Sequence, residues 1–481
     1  MPLPVITIAQ MREWENSTWA AGQTETEVIR RVGECVARQA LELTRPSDLV
    51  LILAGKGHNG EDARAAREGL ANRRVELLEI NDPTAQFGRL EELLALQPAL
   101  LIDGLFGIGI NRSLGPEWTS FIERINSAHL HVLAVDVPSG LDADTGHPQG
   151  AAIKASTTLT VGAPKVGLLQ EVAWPFVGRL TVAEDVGLVS CPCKSELQWA
   201  VPQDFNDFPP PRSVGTHKGS YGHLVIVAGS QGYHGAAVLA ARAAQRAQPG
   251  LITLYTMENS YTPVASQLQA VMVSPWRAKT DLQKWASAVL VGPGLAAADV
   301  PEQLKSFVRD IWLTSPLPVI ADASALDWLP PRAVAGGATR VITPHPGEAA
   351  RLLGTTPQRI QSNRWQALRA LSAHYGNAWV ALKGHQTLVG RGANGLSYVN
   401  PSGNPNLAQG GSGDVLAGYL AGWLAQPAVN SNPLTALRYS VWQHGATADA
   451  LQRTRPNWVV EDLIDQIGNQ RLTAGAETAK S

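Results

Sequence analysis

The stretch LVLILAGKGHNGEDARAAREGL, residues 49–70, joins a continuous apolar run to a glycine-rich loop and then to a helical pattern. Such an apolar run is typical of a strand buried on both faces of a parallel sheet. The alternation of strand and helix continues downstream, with helical segments such as GRLEELLALQ and WTSFIERINS. Further strands are predicted at VELLEI, ALLIDGLFG, HLHVLAVDVPSG, TTLTVG and RLTVAED. The first part of the chain is therefore predicted to be a doubly wound α/β domain of the Rossmann-like kind.

A second α/β series follows a proline-rich segment. Residues from about 190 to 215 include three consecutive prolines and show no helical or strand period, which predicts a linker between domains. Beyond them, strands are predicted at HLVIVAGS, LITLYTM, ASAVLVGPG, LPVIADAS, RVITPHPG and WVALKG, and helices at DVLAGYLAGWLAQ and TALRYSVWQHGATADALQ. We expect two doubly wound domains, at residues 1–205 and 206–472, and a frayed tail at 473–481.

Composition excludes several classes of protein. The 481 residues are 44% apolar and 17% charged, which suits two buried cores and not a disordered or coiled-coil chain. Because 39 basic residues face 41 acidic ones, no general attraction to nucleic acid or an anionic membrane is expected. The spacing of Cys191 and Cys193 is C-x-C, which argues against a metal or redox site. With no signal peptide or membrane span predicted, we expect a cytoplasmic protein.

Polar residues follow three of the predicted strands in the first half. Asn59 lies in the glycine-rich loop, Asp103 ends the run ALLID, and Asp136 and Ser139 lie in AVDVPSG. The carboxyl ends of parallel strands meet at one edge, where open α/β sheets bind ligands. Loop amides there can hold a phosphate, and the oxygens of Asn59, Asp103 and Ser139 suit an alkali or alkaline-earth cation. A simple tight turn, with Asp62 stabilising the helix start, also fits the loop.

These segments carry a resemblance to a known family. GKGHNGED, DGLFGIG and AVDVPSGLDADTG, in this order, resemble the epimerase domain of the bifunctional NAD(P)H-hydrate repair enzymes. The resemblance implies that Asn59, Asp103 and Ser139 bind K⁺ and that Asp103 is the catalytic acid/base. It further implies that the nicotinamide nucleotide hydrate is held by His58, Asn59, Gly60, Glu61, Asp62, Gly107, Ile108, Gly109, Ile110, Asn111, Arg112, Ser113 and Asp136.

The glycine-rich loop departs from the family pattern G-x-G-N-N-G-G-D-G, most seriously at Glu61, where the family has glycine. A carboxylate facing a bound phosphate would repel it by an energy on the order of several kcal/mol at contact distance. Pointing outward at the helix start, it would instead be favoured by about 0.3–1 kcal/mol. We expect the outward orientation, because Asn59, Gly60 and Asp62 match the pattern.

The segment NPSGNPNLAQGGSGDVLAGYLAGWLAQ, residues 400–426, places a glycine- and serine-rich loop before an apolar helix. The amides of Gly411, Ser412 and Gly413 at a helix N-terminus can stabilise phosphate charge. Asp414 can accept the proton of a hydroxyl group that attacks a phosphoryl group. The alternative is that Asp414 only stabilises the first helical turn.

This loop and its aspartate resemble the ribokinase-like superfamily. Together with KGSYG, GSQGYHGAA, GPGL, DASAL, TPHPGE and LKGHQT, the segment resembles the NAD(P)H-hydrate dehydratase domain over residues from about 217 to 467. The resemblance implies phosphorylation of the hydrate by ADP or ATP with Mg²⁺, followed by elimination of phosphate, with Asp414 catalytic. Implied substrate contacts are Ala237, Gly294, His345 and Asp414, and implied nucleotide contacts are Lys383, Gly384, His385, Gln386, Thr387, Gly411, Ser412 and Gly413.

The whole chain is thus predicted to be an isomerase and a lyase in one, which epimerises NADHX and NADPHX and dehydrates the S forms. We expect a homo-oligomer. Two alternatives stay open at this point. A ribokinase-like kinase could leave the phosphate on a small-molecule product, and the first domain could be a non-catalytic nucleotide sensor. Local sequence also allows Lys383 to be a solvated strand end and His345 a turn residue.

Overall fold

A computed structural model describes residues 1–470 apart from 111, 279–281, 283, 299, 333, 335–336 and 393–394. It divides into two compact units, one formed by Leu3–Ser195 and one by Met1–Pro2 with the chain from Glu196 onward. The boundary therefore lies before the predicted residue 205, and the tail predicted at 473–481 lies outside the described residues.

The N-terminal unit is a parallel sheet with helices between its strands. The strands pair in the order β3-β2-β4-β5-β6-β7, and every pair is parallel. The order reverses between β2 and β4, which is the switch point where doubly wound sheets open a crevice. The strands of this sheet are β2 Leu49–Ala54, β3 Arg74–Glu79, β4 Leu100–Gly104, β5 Val132–Val135, β6 Thr157–Val161 and β7 Arg179–Ala183, and β1 Leu3–Pro4 lies outside it. The helices are α1 Ile8–Ala20, α2 Glu25–Leu43, α3 His58–Gly69, α4 Pro83–Ala95, α5 Pro116–Ser127 and α6 Trp174–Val177.

Strand β2 shows why the apolar run had to be a central strand. Its alternate side chains enter two separate cores, Val50 and Ile52 on one face and Leu51 and Leu53 on the other. A strand covered on both faces leaves no position for a polar residue, so its sequence is continuously apolar.

The C-terminal unit has a larger, mixed sheet. Its strands pair in the order β8-β17-β16-β15-β14-β13-β12-β9-β10-β11, and the pairs are parallel except for the two made by β16. The strands are β8 Leu197–Trp199, β9 His223–Val227, β10 Leu251–Thr256, β11 Met272–Pro275, β12 Ala288–Val291, β13 Val319–Ala321, β14 Arg340–Ile342, β15 Trp379–Leu382, β16 Leu388–Gly390 and β17 Ser397–Val399. The helices are α7 His234–Arg246, α8 Tyr261–Ala265, α9 Glu302–Thr314, α10 Pro346–Leu353, α11 Pro357–Ser362, α12 Arg364–His374, α13 Ser412–Leu424, α14 Pro427–Asn430, α15 Pro433–Thr454 and α16 Val460–Gln466.

Helix α13, which follows the glycine-rich loop, packs closely on α7. A Cβ added at Gly418 would lie 2.0 Å from the carbonyl oxygen of Ala240, and one at Gly422 would lie 2.6 Å from that of Ala244. The two backbones can approach this closely only because α13 has glycine and α7 has alanine at the contact. This packing fixes the N-terminus of α13, where the loop residues meet Asp414.

The predicted linker is partly structured, which moves the domain boundary. Strand β8 pairs in parallel with β17, with Trp199 opposite Val399, and Phe205 is fully buried against Tyr439 and Trp442. Residues 196–205, predicted to end the first domain, therefore belong to the second. A three-residue strand beside prolines is too short to show a period. No helix in the described parts of either unit combines the length and apolarity that a membrane crossing requires.

Candidate active sites

The N-terminal unit has a cavity of about 930 Å³ at the carboxyl ends of β2, β4 and β5. It is lined by residues that follow these strands and by side chains of α1 and α2, including Glu15, Trp19 and Glu25. Of the predicted substrate contacts, those lining the cavity are His58, Asn59, Asp62, Gly107, Ile108, Gly109, Ile110, Arg112, Ser113 and Asp136.

Three predicted substrate contacts are not in the lining. Gly60 is buried, and a Cβ there would lie 2.1 Å from the carbonyl oxygen of Gly55, so glycine serves close packing at this position. Glu61 is exposed in the first turn of α3 and does not line the cavity. Asn111 lies outside the described residues.

Asp103 and Ser139 are fully buried and hydrogen-bonded to each other, and neither lines the cavity. The hydroxyl of Ser139 donates to Oδ1 of Asp103 at 2.6 Å, and its amide donates to Oδ2 at 2.8 Å. Burial raises the pKa of Asp103 to about 6, although the hydrogen bonds from Ser139 and Leu105 act in the opposite direction. Asp103 was predicted as the catalytic acid/base, but its carboxylate has no exposed surface through which to touch a substrate.

The third predicted cation ligand joins this pair through Phe106. The amide of Phe106 donates to Oγ of Ser139 at 2.8 Å, and its carbonyl accepts Nδ2 of Asn59 at 2.8 Å. Oδ1 of Asn59 is buried without a hydrogen-bond partner. A buried amide oxygen without a donor is costly, and a cation is one group that would satisfy it.

A buried ion pair that the sequence analysis missed lies at the cavity. Lys165 is fully buried, and its Nζ donates to Oδ1 of Asp136 at 2.5 Å, to Oγ1 of Thr160 at 3.0 Å and to the carbonyl of Val161 at 2.8 Å. Asp136 has a positive φ of 61°, which turns it into the cavity lining directly after β5. The only signal for Lys165 was a lone lysine in the apolar segment TVGAPKVGLL after β6.

Two more carboxyl groups share the cavity with this pair. Burial, followed by the charge of Asp136, raises the pKa of Asp62 well above its usual value. The same two causes raise the pKa of Glu15, which belongs to α1. The cavity therefore offers two carboxyl groups, Asp62 and Glu15, whose pKa values lie above those of free carboxyl groups, beside the Asp136–Lys165 pair.

In the C-terminal unit, Asp414 lies in the first turn of α13, beside the ammonium of Lys383. Burial, and after it the charge of Asp322, raise the pKa of Asp414 to about 7, although the charge of Lys383 acts in the opposite direction. A Cβ added at Gly413 would lie 3.3 Å from Nζ of Lys383. The structure thus brings the predicted catalytic aspartate, the glycine loop and Lys383 to one place.

Lys383 lies close to two carboxylates, those of Asp322, directly after β13, and Glu348, in the first turn of α10. Its Nζ lies 2.9 Å from Oδ1 of Asp322 and 3.8 Å from Oε2 of Glu348, and its side chain is 18% exposed. Burial alone would lower the pKa of Lys383, but the charges of Asp322 and Glu348 outweigh it, and the pKa is raised. Lys383 is not a solvated strand end, and the sequence analysis gave Asp322 and Glu348 no role.

The predicted substrate contacts of this unit have different settings. His345 caps α10: its Nδ1 accepts the amides of Gly347 at 3.0 Å and Glu348 at 3.3 Å, while burial lowers its pKa, and half of its side chain is exposed. Gly294 has a φ of 65° and is partly exposed. Ala237, in contrast, is fully buried inside α7, so its side chain presents no surface to a ligand.

Helix α15 supports the loop that leads to Asp414, and the sequence analysis missed this. Nε2 of His444 lies 3.0 Å from the carbonyl oxygen of Ser412, and burial lowers the pKa of His444 to about 4, which keeps it neutral. Asp449 accepts the amide of Gly403 at 3.0 Å and Nδ2 of Asn404 at 3.1 Å. Both side chains thus hold in place the backbone of the loop that leads to Asp414.

Comparison with known proteins decides the family. The family model described as NAD(P)H-hydrate dehydratase matches residues 224–469, and the model of the YjeF-related protein N-terminus matches residues 76–167. A bifunctional NAD(P)H-hydrate repair enzyme of Coxiella burnetii is 33% identical over 470 residues, covering 92% of this chain and 93% of that protein. The chain belongs to the bifunctional NAD(P)H-hydrate repair enzyme family. A relative in Escherichia coli with the same description is 32% identical over 456 residues, covering 89% of this chain and 86% of its own.

Solved structures place the C-terminal unit of this repair-enzyme chain in its fold class. It is similar to an ADP/ATP-dependent NAD(P)H-hydrate dehydratase from Bacillus subtilis co-crystallised with ATP and Mg²⁺, with a TM-score of 0.50 and 29% identity over 56% of this chain and 96% of that one. A ribokinase-like superfamily protein from Enterococcus faecalis matches with a TM-score of 0.52 at 22% identity, over 58% of this chain and 97% of that one. The predicted fold class and family are confirmed.

Proposed function

We propose that this chain repairs hydrated NADH and NADPH, with one reaction in each unit. The N-terminal unit interconverts the R and S hydrates, and the C-terminal unit removes water from the S hydrate at the expense of ADP or ATP. The observation that carries this proposal is the cluster of Asp414, Lys383 and Gly413 in the unit that matches the dehydratase family, in a chain that also matches the YjeF-related N-terminus.

In the dehydratase reaction we assign proton transfer to Asp414. Its carboxylate would accept the proton of the hydrate hydroxyl while that oxygen forms a bond to the terminal phosphorus of the nucleotide and the phosphoanhydride bond breaks. Loss of the new phosphate group from the ring, with a ring proton, then restores the dihydronicotinamide. A base with a pKa of about 7 is half ionised at neutral pH, which is the range where a general base is most effective.

The nucleotide phosphates are assigned to the two loops that meet at Lys383. Backbone amides of Gly411, Ser412 and Gly413 at the start of α13 favour anionic charge, and the Lys383 ammonium adds a full positive charge beside them. Mg²⁺ is usually held by phosphate oxygens, waters and one or two carboxylates, so we expect it to enter with the nucleotide and assign it no protein ligand. When bound, it would neutralise phosphate charge.

In the epimerase reaction we assign direct substrate contact to Asp136. It lines the cavity, and Lys165 orients its carboxylate from the buried side. Asp62, with its raised pKa, is the carboxyl group in the lining best suited to donate a proton. Asp103 acts through Ser139 as a positioning residue, because it does not reach the cavity.

K⁺ is assigned to Asn59, Asp103 and Ser139. The buried, unpartnered Oδ1 of Asn59 supports this assignment, since a hard monovalent cation accepts neutral and anionic oxygens as ligands. When bound, the ion would supply a fixed positive charge under the loop that holds the substrate phosphate. Its effect can be measured on folding as well as on turnover.

The proposal is tested by incubating the full chain with mixed hydrates of NADH and ADP, and following both epimers by chromatography. Wild type should consume both epimers and form NADH. Asp414→Ala should leave a mixture that still interconverts, and Asp136→Asn should leave the R epimer behind. A stable phosphorylated product would instead favour a ribokinase-like kinase. If Asp414→Ala does not convert a single purified epimer into the mixture, a sensory first domain is favoured.

A further inference from the structure

Arg364, the first residue of α12, is buried behind the loop Lys383–Thr387. It is 8% exposed, and its guanidinium donates to the carbonyls of four residues in or next to this loop. Nη2 donates to Leu382 at 3.1 Å and Lys383 at 3.4 Å, and Nη1 donates to Gln386 at 3.4 Å and, by a shorter bond, to His385. One side chain thus fixes the path of the whole loop.

The loop is held in a conformation that needs such support. Gly384 has a φ of 134°, and a Cβ there would lie 3.2 Å from Nη2 of Arg364. Gln386 is a non-glycine residue with a φ of 52°. Glycine adopts such an angle freely, but a non-glycine residue in the left-handed region is strained and persists only where the surroundings impose it.

The carbonyls that face Arg364 turn the intervening amides outward. In a trans peptide the C=O and the following N–H point in opposite directions. The carbonyls of Lys383, His385 and Gln386 therefore orient the amides of Gly384, Gln386 and Thr387 away from the guanidinium. Within the described part of the chain, these three amides find no protein acceptor.

We propose that Arg364 is a positioning residue for the nucleotide. By donating hydrogen bonds to the carbonyls of the loop, it orients the amides of Gly384, Gln386 and Thr387 toward a phosphate of ADP or ATP. Consecutive outward amides, such as those of Gln386 and Thr387, form a concave site for an anion, and the amide of Gly384 lies in the same loop. Arg364 does not touch the nucleotide itself, because its guanidinium lies behind the loop. This inference rests on the proposed function, which places an adenine nucleotide here.

If Arg364 only stabilised the fold, its replacement would affect ADP binding no more than the replacement of another buried arginine. Arg340 is the matched control for this comparison. Arg340 is 2% exposed, and its guanidinium also donates to backbone carbonyls, those of Ile311, Trp312, Ser315, Leu317 and Thr339. These bonds close the C-terminal end of α9, away from the loop Lys383–Thr387. Both arginines stabilise the fold, but only Arg364 donates hydrogen bonds to the loop Lys383–Thr387.

The test compares Arg364→Lys, Arg364→Met and Arg340→Met in the full chain. ADP affinity is measured by calorimetry without the hydrate, stability by thermal denaturation, and dehydration by kinetics in both substrates. Lysine keeps a positive charge but cannot reach four carbonyls. Both Arg364 variants should lose about tenfold or more in ADP affinity, the size of one lost charge-assisted hydrogen bond, while the KM for the hydrate changes within about threefold. Arg340→Met should lower the melting temperature and leave ADP affinity unchanged.

Wild-type ADP affinity in Arg364→Lys would overturn the positioning role and indicate charge alone. Equal loss of ADP affinity in Arg340→Met would also overturn it, because general destabilisation would then explain the effect. Gly384→Ala, which crowds the guanidinium without removing it, should weaken ADP binding even if Arg364→Met does not fold. A wild type that binds ADP but dehydrates no hydrate overturns the proposed function alone, and a wild type that binds no adenine nucleotide overturns both.

Discussion

Replacing Asp414 by asparagine should abolish dehydration and at the same time stabilise the C-terminal unit above neutral pH. Burial and Asp322 raise the pKa of Asp414 from 3.8 to about 7. The folded state therefore binds this proton more tightly than the unfolded state does. Stability from the protonated carboxyl is fully present below the unfolded pKa and is lost as the pH rises through about 7.

The magnitude follows from the gap between the two pKa values. A gap of about 3 units corresponds to about 4 kcal/mol, at about 1.4 kcal/mol per unit, as an upper bound. Because Asp414 is partly exposed, water screens part of this penalty, and we expect an effect on the order of 2 kcal/mol. An asparagine side chain at this position carries no charge, so Asp414→Asn avoids the penalty.

Thermal denaturation of Asp414→Asn and wild type, at about pH 5 and pH 8, measures the effect. The variant should melt a few degrees above wild type at the higher pH and close to it at the lower one. Its dehydration rate should fall by about 10²–10⁴, the usual contribution of a general base. Wild-type dehydration should rise with pH and level off above about 7, with about a tenth of the plateau rate one unit below the pKa.

Asp310→Asn, at an exposed position on α9, is the control and should change neither quantity. The reasoning is refuted if Asp414→Asn is less stable than wild type at the higher pH, since the carboxylate would then be stabilised by its surroundings. It is refuted equally if the variant dehydrates the hydrate at the wild-type rate.

Three further predictions concern the N-terminal unit. Lys165→Met should lower the free energy of unfolding by about 3–5 kcal/mol in urea denaturation, because it leaves Asp136 buried without its partner. Adding Asp136→Asn should recover part of the loss, and a double mutant with additive effects would contradict the ion pair. K⁺ should raise the melting temperature of wild type relative to a bulky organic cation, and Asn59→Leu should remove this difference; a shift that survives in the variant would place the ion elsewhere. Glu61→Gly should change epimerisation by no more than about threefold and cost about 1 kcal/mol of helix stability, since Glu61 is exposed outside the cavity; a large rise in activity would show that the carboxylate does repel the substrate.

In the C-terminal unit, the strands that sequence analysis located run without a gap from β15 to β10 in the sheet, and the missed strands β8, β16, β17 and β11 lie toward its two ends. Strands β8, β16 and β17 have three residues each, and β11 has four. Strands β13 and β14 are equally short, but they were located because each lies within a longer apolar run between helical segments. The pairing of β8 with β17 joins segments about 200 residues apart, which no local pattern reports.

The residues of the candidate sites also fall into those that the sequence could locate and those that it could not. Asp136, directly after a strand, and Asp414, in the first turn of a helix, could be located because each lies next to a buried apolar run. Lys165 and Asp322 could not, since their roles depend on partners that only the fold supplies: Lys383 lies 61 residues from Asp322 along the chain. Ala237 shows the converse, because a motif match does not tell a buried side chain from an exposed one.

The charges around Lys383 explain why Lys383 and Asp322 act together on Asp414. Asp322 holds the Lys383 ammonium at 2.9 Å and raises the pKa of Asp414, so it acts both on the cation that we propose binds phosphate and on the proposed base. Without Lys383 the pKa of Asp414 would be higher still, and less of the proposed base would be ionised at neutral pH. Without Asp322 and Glu348, Asp414 would ionise at lower pH and accept a proton less readily. One ammonium among three carboxyl groups therefore sets the pH range in which the dehydratase site can work.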